Sequence, residues 1–128
     1  MTTTREIHLV RRPIGIPVAA DFSVVEAVVG PTGVNEVRVQ TLIMSVDPYM
    51  RPRLNADQAL NTPLLGGGIG RIIESRNAKF SKGQLVKHVV GFREVFVSDG
   101  HGHHRFAHSL SEHNRNVAAF RKTIALRR

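Results

Sequence analysis

The sequence predicts a mostly β fold, a small barrel or sandwich, over residues 1–100, followed by a basic tail over residues 101–128. Three observations carry this. Apolar runs are short and valine-rich, as at Phe22–Val29 and Glu36–Val46. Glycine and proline break the chain often, at Pro13, Gly15, Pro17, Gly30, Pro31, Gly33, Pro48 and Pro52. After Gly100 the composition changes to histidine and arginine.

The elements follow in order. Ile7 to Val10 is an apolar run stopped by Arg11-Arg12-Pro13, and Pro13, Gly15 and Pro17 punctuate a turn or an extended connector. Phe22–Val29 reads as a strand, and Gly30-Pro31-Thr32-Gly33 as a turn. Glu36–Val46 is the strongest strand. It alternates at Val37 and Val39 against Arg38 and Gln40, then becomes continuously apolar at Leu42-Ile43-Met44. That change predicts passage from a half-exposed to a fully buried setting. Asp47-Pro48 ends the strand, and Pro52 argues against a long helix, so 47–63 is expected to be irregular with a helical turn. Leu64–Ser75 holds a glycine cluster and Ile72-Ile73, a strand with a bulge or a close backbone approach. Asn77–Gly83 is a polar turn, and Gln84–Val90 and Arg93–Ser98 are short strands around Gly91. In the tail, Ser109 and Glu112 have capping-box spacing, and Leu110, Val117, Phe120 and Ile124 share one helical face. A basic amphipathic helix is predicted over 110–126, with Lys122, Arg127 and Arg128 late, where the helix dipole favours cations.

Composition narrows the function classes. At 128 residues, 41% hydrophobic and 22% charged, the chain suits one folded domain. It has no cysteine, which excludes disulfides, thiolate metal sites and a cysteine nucleophile, and points towards a cytoplasmic location. No apolar stretch approaches the roughly 20 residues of a spanning helix, and no membrane partner is expected. The net charge of +8 is uneven: residues 1–100 carry 12 Lys and Arg against 9 Asp and Glu, and the tail carries 6 against 1. The basic character therefore belongs mainly to the tail. With one tyrosine, six phenylalanines and no tryptophan, base-stacking platforms are scarce, and specific nucleic-acid binding is not expected.

Three stretches could carry chemistry. Gly66-Gly67-Gly68-Ile69-Gly70 fails the dinucleotide fingerprint, which needs glycines at i, i+2 and i+5, and no Lys-Ser/Thr follows to make a phosphate loop. Either backbone approaches backbone closely there, or the close neighbour is a ligand. The histidines at 101, 103, 104, 108 and 113 resemble a metal-binding tract but lack a supporting carboxylate motif, and no zinc site is expected from them. Ser45-Val46-Asp47-Pro48-Tyr49-Met50-Arg51-Pro52-Arg53 is the most informative, because it follows a buried strand at once and holds the only tyrosine. A phenol there could donate a hydrogen bond to a carbonyl oxygen gaining charge, and the arginines could meet phosphate. The plainer alternative is a turn capped by Asp47, with Tyr49 and Met50 packed and the arginines solvated.

Residues 5–100 resemble the N-terminal, GroES-like domain of the zinc-independent medium-chain dehydrogenase/reductases. The similarity is to the subgroup of NADPH-dependent 2-alkenal, prostaglandin and curcumin or enone reductases. It rests on Arg11-Arg12-Pro13-x-Gly15-x-Pro17, Glu36-Val37-Arg38-Val39, and above all Ser45-Val46-Asp47-Pro48-Tyr49-Met50-Arg51. Gly68-Ile69-Gly70-Arg71-Ile72-Ile73-Glu74-Ser75, Phe80-x-x-Gly83-x-x-Val86 and Glu94-Val95-Phe96-Val97-Ser98 follow in the family's order.

The resemblance implies a distorted β-barrel forming one wall of a cleft, with NADP(H) carried by a nucleotide-binding domain on the other wall. It implies reduction of the C=C bond of an α,β-unsaturated carbonyl without zinc. The small-molecule substrate would be an enone or quinone. Tyr49 matches a position near substrate and nicotinamide, and Asp47, Met50 and Arg51 match the cleft. Pro52 stands where the family has glycine, which is expected to change the loop's path. The 28 residues after Gly100 cannot hold two βαβαβ halves, so the resemblance predicts a chain truncated before its cofactor domain and not binding NADPH alone. The alternative is a non-catalytic remnant acting as an interaction domain or homo-oligomer through the uncovered surface.

Overall fold

The structure, a computed structural model, describes residues 2–100. The helix expected over 110–126 and the tail histidines lie outside the described residues.

Strand β1 (Thr2–Leu9) and strand β2 (Phe22–Val29) pair antiparallel along their whole length, from Thr2 opposite Val29 to Leu9 opposite Phe22. Threonine and valine are both β-branched and suit a pleated ribbon, which is why the strand begins at Thr2, well before the apolar run at Ile7. The connector between the strands is closed by Asp21, buried at the end of a 3-10 turn over Ala19–Asp21. Its carboxylate accepts from Arg11 Nε at 2.6 Å and from the Val18 N–H at 2.9 Å, and its carbonyl accepts from the Val10 N–H at 2.9 Å. The Arg11 hydrogen bond, then the Val18 N–H, hold the Asp21 carboxyl below its ordinary range.

Strand β3 (Val37–Met44) lies inside a four-stranded antiparallel sheet. Strands β4 (Gly68–Ser75), β5 (Leu85–His88) and β6 (Val95–Ser98) complete it in the order β5-β4-β3-β6. One core, of Val37, Val39, Ile72, Phe80, Val86, Val90 and Phe96, lies against this sheet. A second, of Leu9, Met50, Leu54 and Leu64 with Phe22 and Phe92 beside it, lies under a short helix, α1 (Met50–Arg53). The irregular segment with a helical turn expected over 47–63 is therefore present, and its turn is anchored by a core of its own.

The glycine cluster is a close backbone approach. A Cβ on Gly70 would lie 2.5 Å from Val39 Cγ1 and 2.9 Å from the Gln40 carbonyl oxygen, and one on Gly68 would lie 2.5 Å from the Ile43 carbonyl oxygen. The β3–β4 register shifts between Arg38 and Val39 and between Thr41 and Ile43, the irregularity that the glycines foretell.

Two expectations need correction. The apolar end of β3 is not the buried end: Val37 and Val39 are fully buried and Arg38 nearly so, whereas Leu42 is 49% and Ile43 62% exposed. The reason is where the core lies. The core against this sheet takes Val37 and Val39 from β3 and no residue beyond them. A continuous closed barrel is also not formed among the described residues, which divide into a two-stranded and a four-stranded sheet.

Residues 91–94 join the two sheets. The Ile7 N–H donates to the Phe92 carbonyl at 3.0 Å, the Glu94 N–H to the Arg5 carbonyl at 3.0 Å, and the Thr41 N–H to the Glu94 carbonyl at 2.7 Å. Buried Thr4 adds a side-chain link, its Oγ1 accepting from the Val95 N–H at 3.0 Å. Among the described residues no helix is long and apolar enough to cross a membrane.

Candidate functional site

The loop after β3 is built from both ends. At its start the Ser45 N–H donates to the Gly67 carbonyl at 2.9 Å, tying the loop to the glycine cluster, and Ser45 Oγ donates to Asp47 Oδ1 at 2.9 Å. The Asp47 carbonyl then accepts from the Met50 N–H at 3.0 Å and opens α1. Met50 is buried in the second core, which fixes the helical turn against the domain. Pro52 falls within the first turn of α1, where a missing N–H breaks no intrahelical bond, so the turn accommodates it.

Tyr49, the residue before α1, is 48% exposed. The Arg53 guanidinium lies 5.9 Å from the centre of its ring. Partial burial raises the Tyr49 phenol above its ordinary value, the Asp47 carboxylate raises it further, and Arg53 opposes both. The phenol is therefore protonated at neutral pH and able to donate a hydrogen bond.

Arg51, expected in the cleft, is engaged elsewhere. Its Nη2 donates to the Gly15 carbonyl at 2.7 Å, and its Nη1 donates to Asn55 Oδ1. Asn55 Nδ2 in turn reaches the Pro13 carbonyl at 3.0 Å. These contacts hold the Pro13–Pro17 connector on α1. Arg53 also pairs with Asp57 at 3.3 Å. The structure thus brings Asp47, Tyr49 and Arg53 together and turns Arg51 towards the connector.

Two nearby features were not singled out by the sequence reading. An open groove of about 330 Å³ runs along the exposed end of β3, with Val24, Leu42, Ile43 and Phe92 in its lining and Arg5 and Glu94 also bordering it. Its lining ends at Met44, so Asp47, Tyr49, Met50 and Arg51 lie outside it. The second feature is His88, buried in β5. Its Nδ1 accepts from the Val90 N–H at 3.2 Å, which places the proton of a neutral ring on Nε2, 3.2 Å from Thr41 Oγ1. A lone histidine in an apolar strand near the glycine cluster was the available signal: a Cβ on Gly68 would stand 3.4 Å from His88 Nε2.

At Gly68 and Gly70 an added Cβ would meet strand β3, and the one α-helix among the described residues, Met50–Arg53, is four residues long. Among the described residues no cluster of three or more His, Cys, Asp or Glu side chains is placed to hold a metal.

Comparison with known proteins places this geometry. The family described as the N-terminal domain of oxidoreductase matches residues 5–106. The NADPH-dependent curcumin reductase of Escherichia coli (strain K12) is 31% identical over 98 residues, covering 72% of this chain and 28% of that protein. Prostaglandin reductase 1 of Mus musculus is 32% identical over 88 residues, covering 69% and 26%. The crystal structure of CurA in complex with NADPH from Vibrio vulnificus superposes with a TM-score of 0.71 at 27% identity, covering 84% of this chain and 34% of that one. The chain therefore spans less than a third of the length of the curated relatives described.

Proposed function

The chain belongs to the family of oxidoreductase N-terminal domains, and on that premise we propose that it forms the substrate-side wall of an NADPH-dependent reductase acting on the C=C bond of α,β-unsaturated carbonyls. Its fold class is the GroES-like domain of the zinc-independent medium-chain dehydrogenase/reductases. The reductase names of its relatives support this reading over that of an interaction remnant.

The observation that carries the proposal is the presentation of Tyr49. A rigid strand and a buried Met50 hold the phenol half-exposed and protonated at the end of β3. In this role Tyr49 donates its O–H to the carbonyl oxygen of an enone or quinone as that oxygen gains negative charge. Asp47 and Arg53 flank the phenol and set its proton affinity, Met50 fixes the loop, and Arg51 positions it by holding the connector. In this reading NADPH is held by a nucleotide-binding domain on the other wall of the cleft.

A chimera tests this. Residues 5–98 replace the matching segment of the E. coli curcumin reductase, and NADPH oxidation by an enone is followed. The expected result is enone-dependent turnover, with Tyr49→Phe lowering kcat by about tenfold to a hundredfold, as for loss of one donor to a developing oxyanion. A folded chimera that binds NADPH and never oxidises it, or a Tyr49→Phe variant with unchanged kcat, overturns the proposal.

A further inference from the structure

The connector between β1 and β2 carries the two most exposed large apolar side chains among the described residues. Ile14 is 97% and Ile16 86% exposed, and Val18 follows at 52%. The loop that presents them is pinned. Pro13 and Pro17 restrict its backbone, and Gly15 turns it at a φ of 70°. Arg51 Nη2 donates to the Gly15 carbonyl at 2.7 Å, and Asn55 Nδ2 donates to the Pro13 carbonyl at 3.0 Å. From Arg11 to Ala20 the connector holds two arginines and no acidic residue. Arg11 pairs with Asp21 at 2.6 Å, but among the described residues neither Arg12 nor Arg51 forms an ion pair. Arg12 Nη1 donates to the Leu54 carbonyl at 2.8 Å and to the Gln58 carbonyl. Carbonyl oxygens satisfy hydrogen bonds of both guanidiniums and leave both charges in place.

A single exposed isoleucine is ordinary. An Ile-Gly-Ile step fixed between two prolines, beside two arginines that no carboxylate neutralises, has the composition of an interfacial anchor. Apolar side chains of such a loop enter the boundary between lipid headgroups and acyl chains, and the cations meet lipid phosphate. Because the loop is already held in shape, little ordering is required when it docks. The net charge of the whole chain, +8, draws it towards the same kind of surface. We propose that the Pro13–Pro17 loop docks on an anionic phospholipid bilayer, with Ile14 and Ile16 entering the interface and Arg12 and Arg51 attracted to lipid phosphates. The contact is peripheral and requires no spanning segment. It does not depend on the role given to Tyr49.

The test uses the full 128-residue chain, whose lack of cysteine allows one dye to be placed at will. An environment-sensitive fluorophore is attached to Val18→Cys, beside the tip, and in a second protein to Val34→Cys, which is 72% exposed and outside the loop. Vesicles are phosphatidylcholine alone, or phosphatidylcholine and phosphatidylserine in equal parts. With the anionic vesicles the Val18→Cys probe is expected to shift to the blue and to be quenched by a lipid-borne quencher, and the Val34→Cys probe is not. Vesicles of phosphatidylcholine alone bind more weakly. Ile14→Ser with Ile16→Ser replaces two exposed side chains, so the fold is kept, and affinity for the anionic vesicles falls by about tenfold or more. Binding that the double variant leaves unchanged, or that both probes report equally, is what the basic tail alone would give, and it overturns the proposal. So does an absence of binding, or a blue shift that grows with protein concentration without lipid, which would make a second copy the occupant.

Discussion

Arg5 and Glu94 are joined through both backbone and side chain. The Arg5 N–H donates to Glu94 Oε2 at 2.8 Å, Arg5 Nε and Nη2 donate to Oε1 at 3.0 and 2.6 Å, and the Glu94 N–H donates to the Arg5 carbonyl at 3.0 Å. The Glu94 carbonyl also accepts from Thr41 in β3, so this one residue bonds to both sheets. The ion pair is exposed, and its charges are screened. The backbone N–H to carboxylate bond is what ties side chain to sheet. Glu94→Gln, which keeps an acceptor for that N–H, is expected to lower Tm less than Glu94→Ala does. High salt narrows the gap between the native chain and Glu94→Gln. Equal losses for both variants would mean that the charge, and not the acceptor, is what matters.

Asp21 and Glu94 give the fold an acid-sensitive stability. The Arg11 bond holds the Asp21 carboxyl low, and the Arg5 bond does the same for Glu94. A carboxyl depressed in the folded state contributes stability that is present above its unfolded pKa and lost as pH falls through the folded one. Thermal melts are therefore expected to hold a steady Tm above about pH 5 and to decline below about pH 4, where unfolded carboxylates take up protons first. Asp21→Asn lowers Tm at neutral pH and flattens part of the acid decline. A Tm that rises on acidification would contradict the assignment.

Gly70 in β4 and Gly30 just after β2 differ sharply in what they tolerate. At Gly70 an added methyl meets Val39 Cγ1 and the Gln40 backbone, both within the packed sheet, whereas at Gly30 it meets nothing within 4 Å. Gly70→Ala is expected to destabilise by about 1–3 kcal/mol, the range of forced overpacking. Gly30→Ala stays within about 0.5 kcal/mol of the native chain. Chemical denaturation midpoints of the two variants check the contrast, and equal midpoints would count against the close approach.

β3 shows where the sequence is legible and where it is not. Local chemistry reads correctly at Asp47-Pro48 and the glycine cluster, whereas the turn expected at Gly30-Pro31-Thr32-Gly33 falls later, at residues 33–36, closed by the Glu36 N–H on the Gly33 carbonyl with Asn35 at positive φ. Burial is not local. Leu42 and Ile43 look like core residues, but whether they are covered depends on what packs over that end of the sheet, and the core lies over Val37 and Val39 instead. The candidate site divides in the same way. The string from Ser45 to Arg53 marks the loop, yet the engagement of Arg51 by the Gly15 carbonyl is a tertiary contact that no local pattern encodes.

The reversed burial of β3 has a direct consequence. Val39→Ala removes fully buried methyl groups and is expected to cost about 2 kcal/mol. Ile43→Thr, at an exposed position with β propensity kept, is expected to change stability by less than about 0.5 kcal/mol. Denaturation midpoints that rank the two variants the other way would restore the reading in which the apolar end of the strand is the buried end.

Tyr49 can be titrated directly, because it is the only tyrosine and phenolate absorbance reports it alone. Burial raises its proton affinity, Asp47 adds to the rise, and Arg53 opposes it. The apparent pKa is therefore expected above the ordinary phenol value of about 10. Asp47→Asn removes a negative neighbour and lowers it, and Arg53→Gln removes a positive one and raises it further. The two variants must move in opposite directions. Shifts of the same sign, or none, would show that the Asp47–Tyr49–Arg53 grouping does not persist in solution, and with it would go the case for Tyr49 as a positioned hydrogen-bond donor.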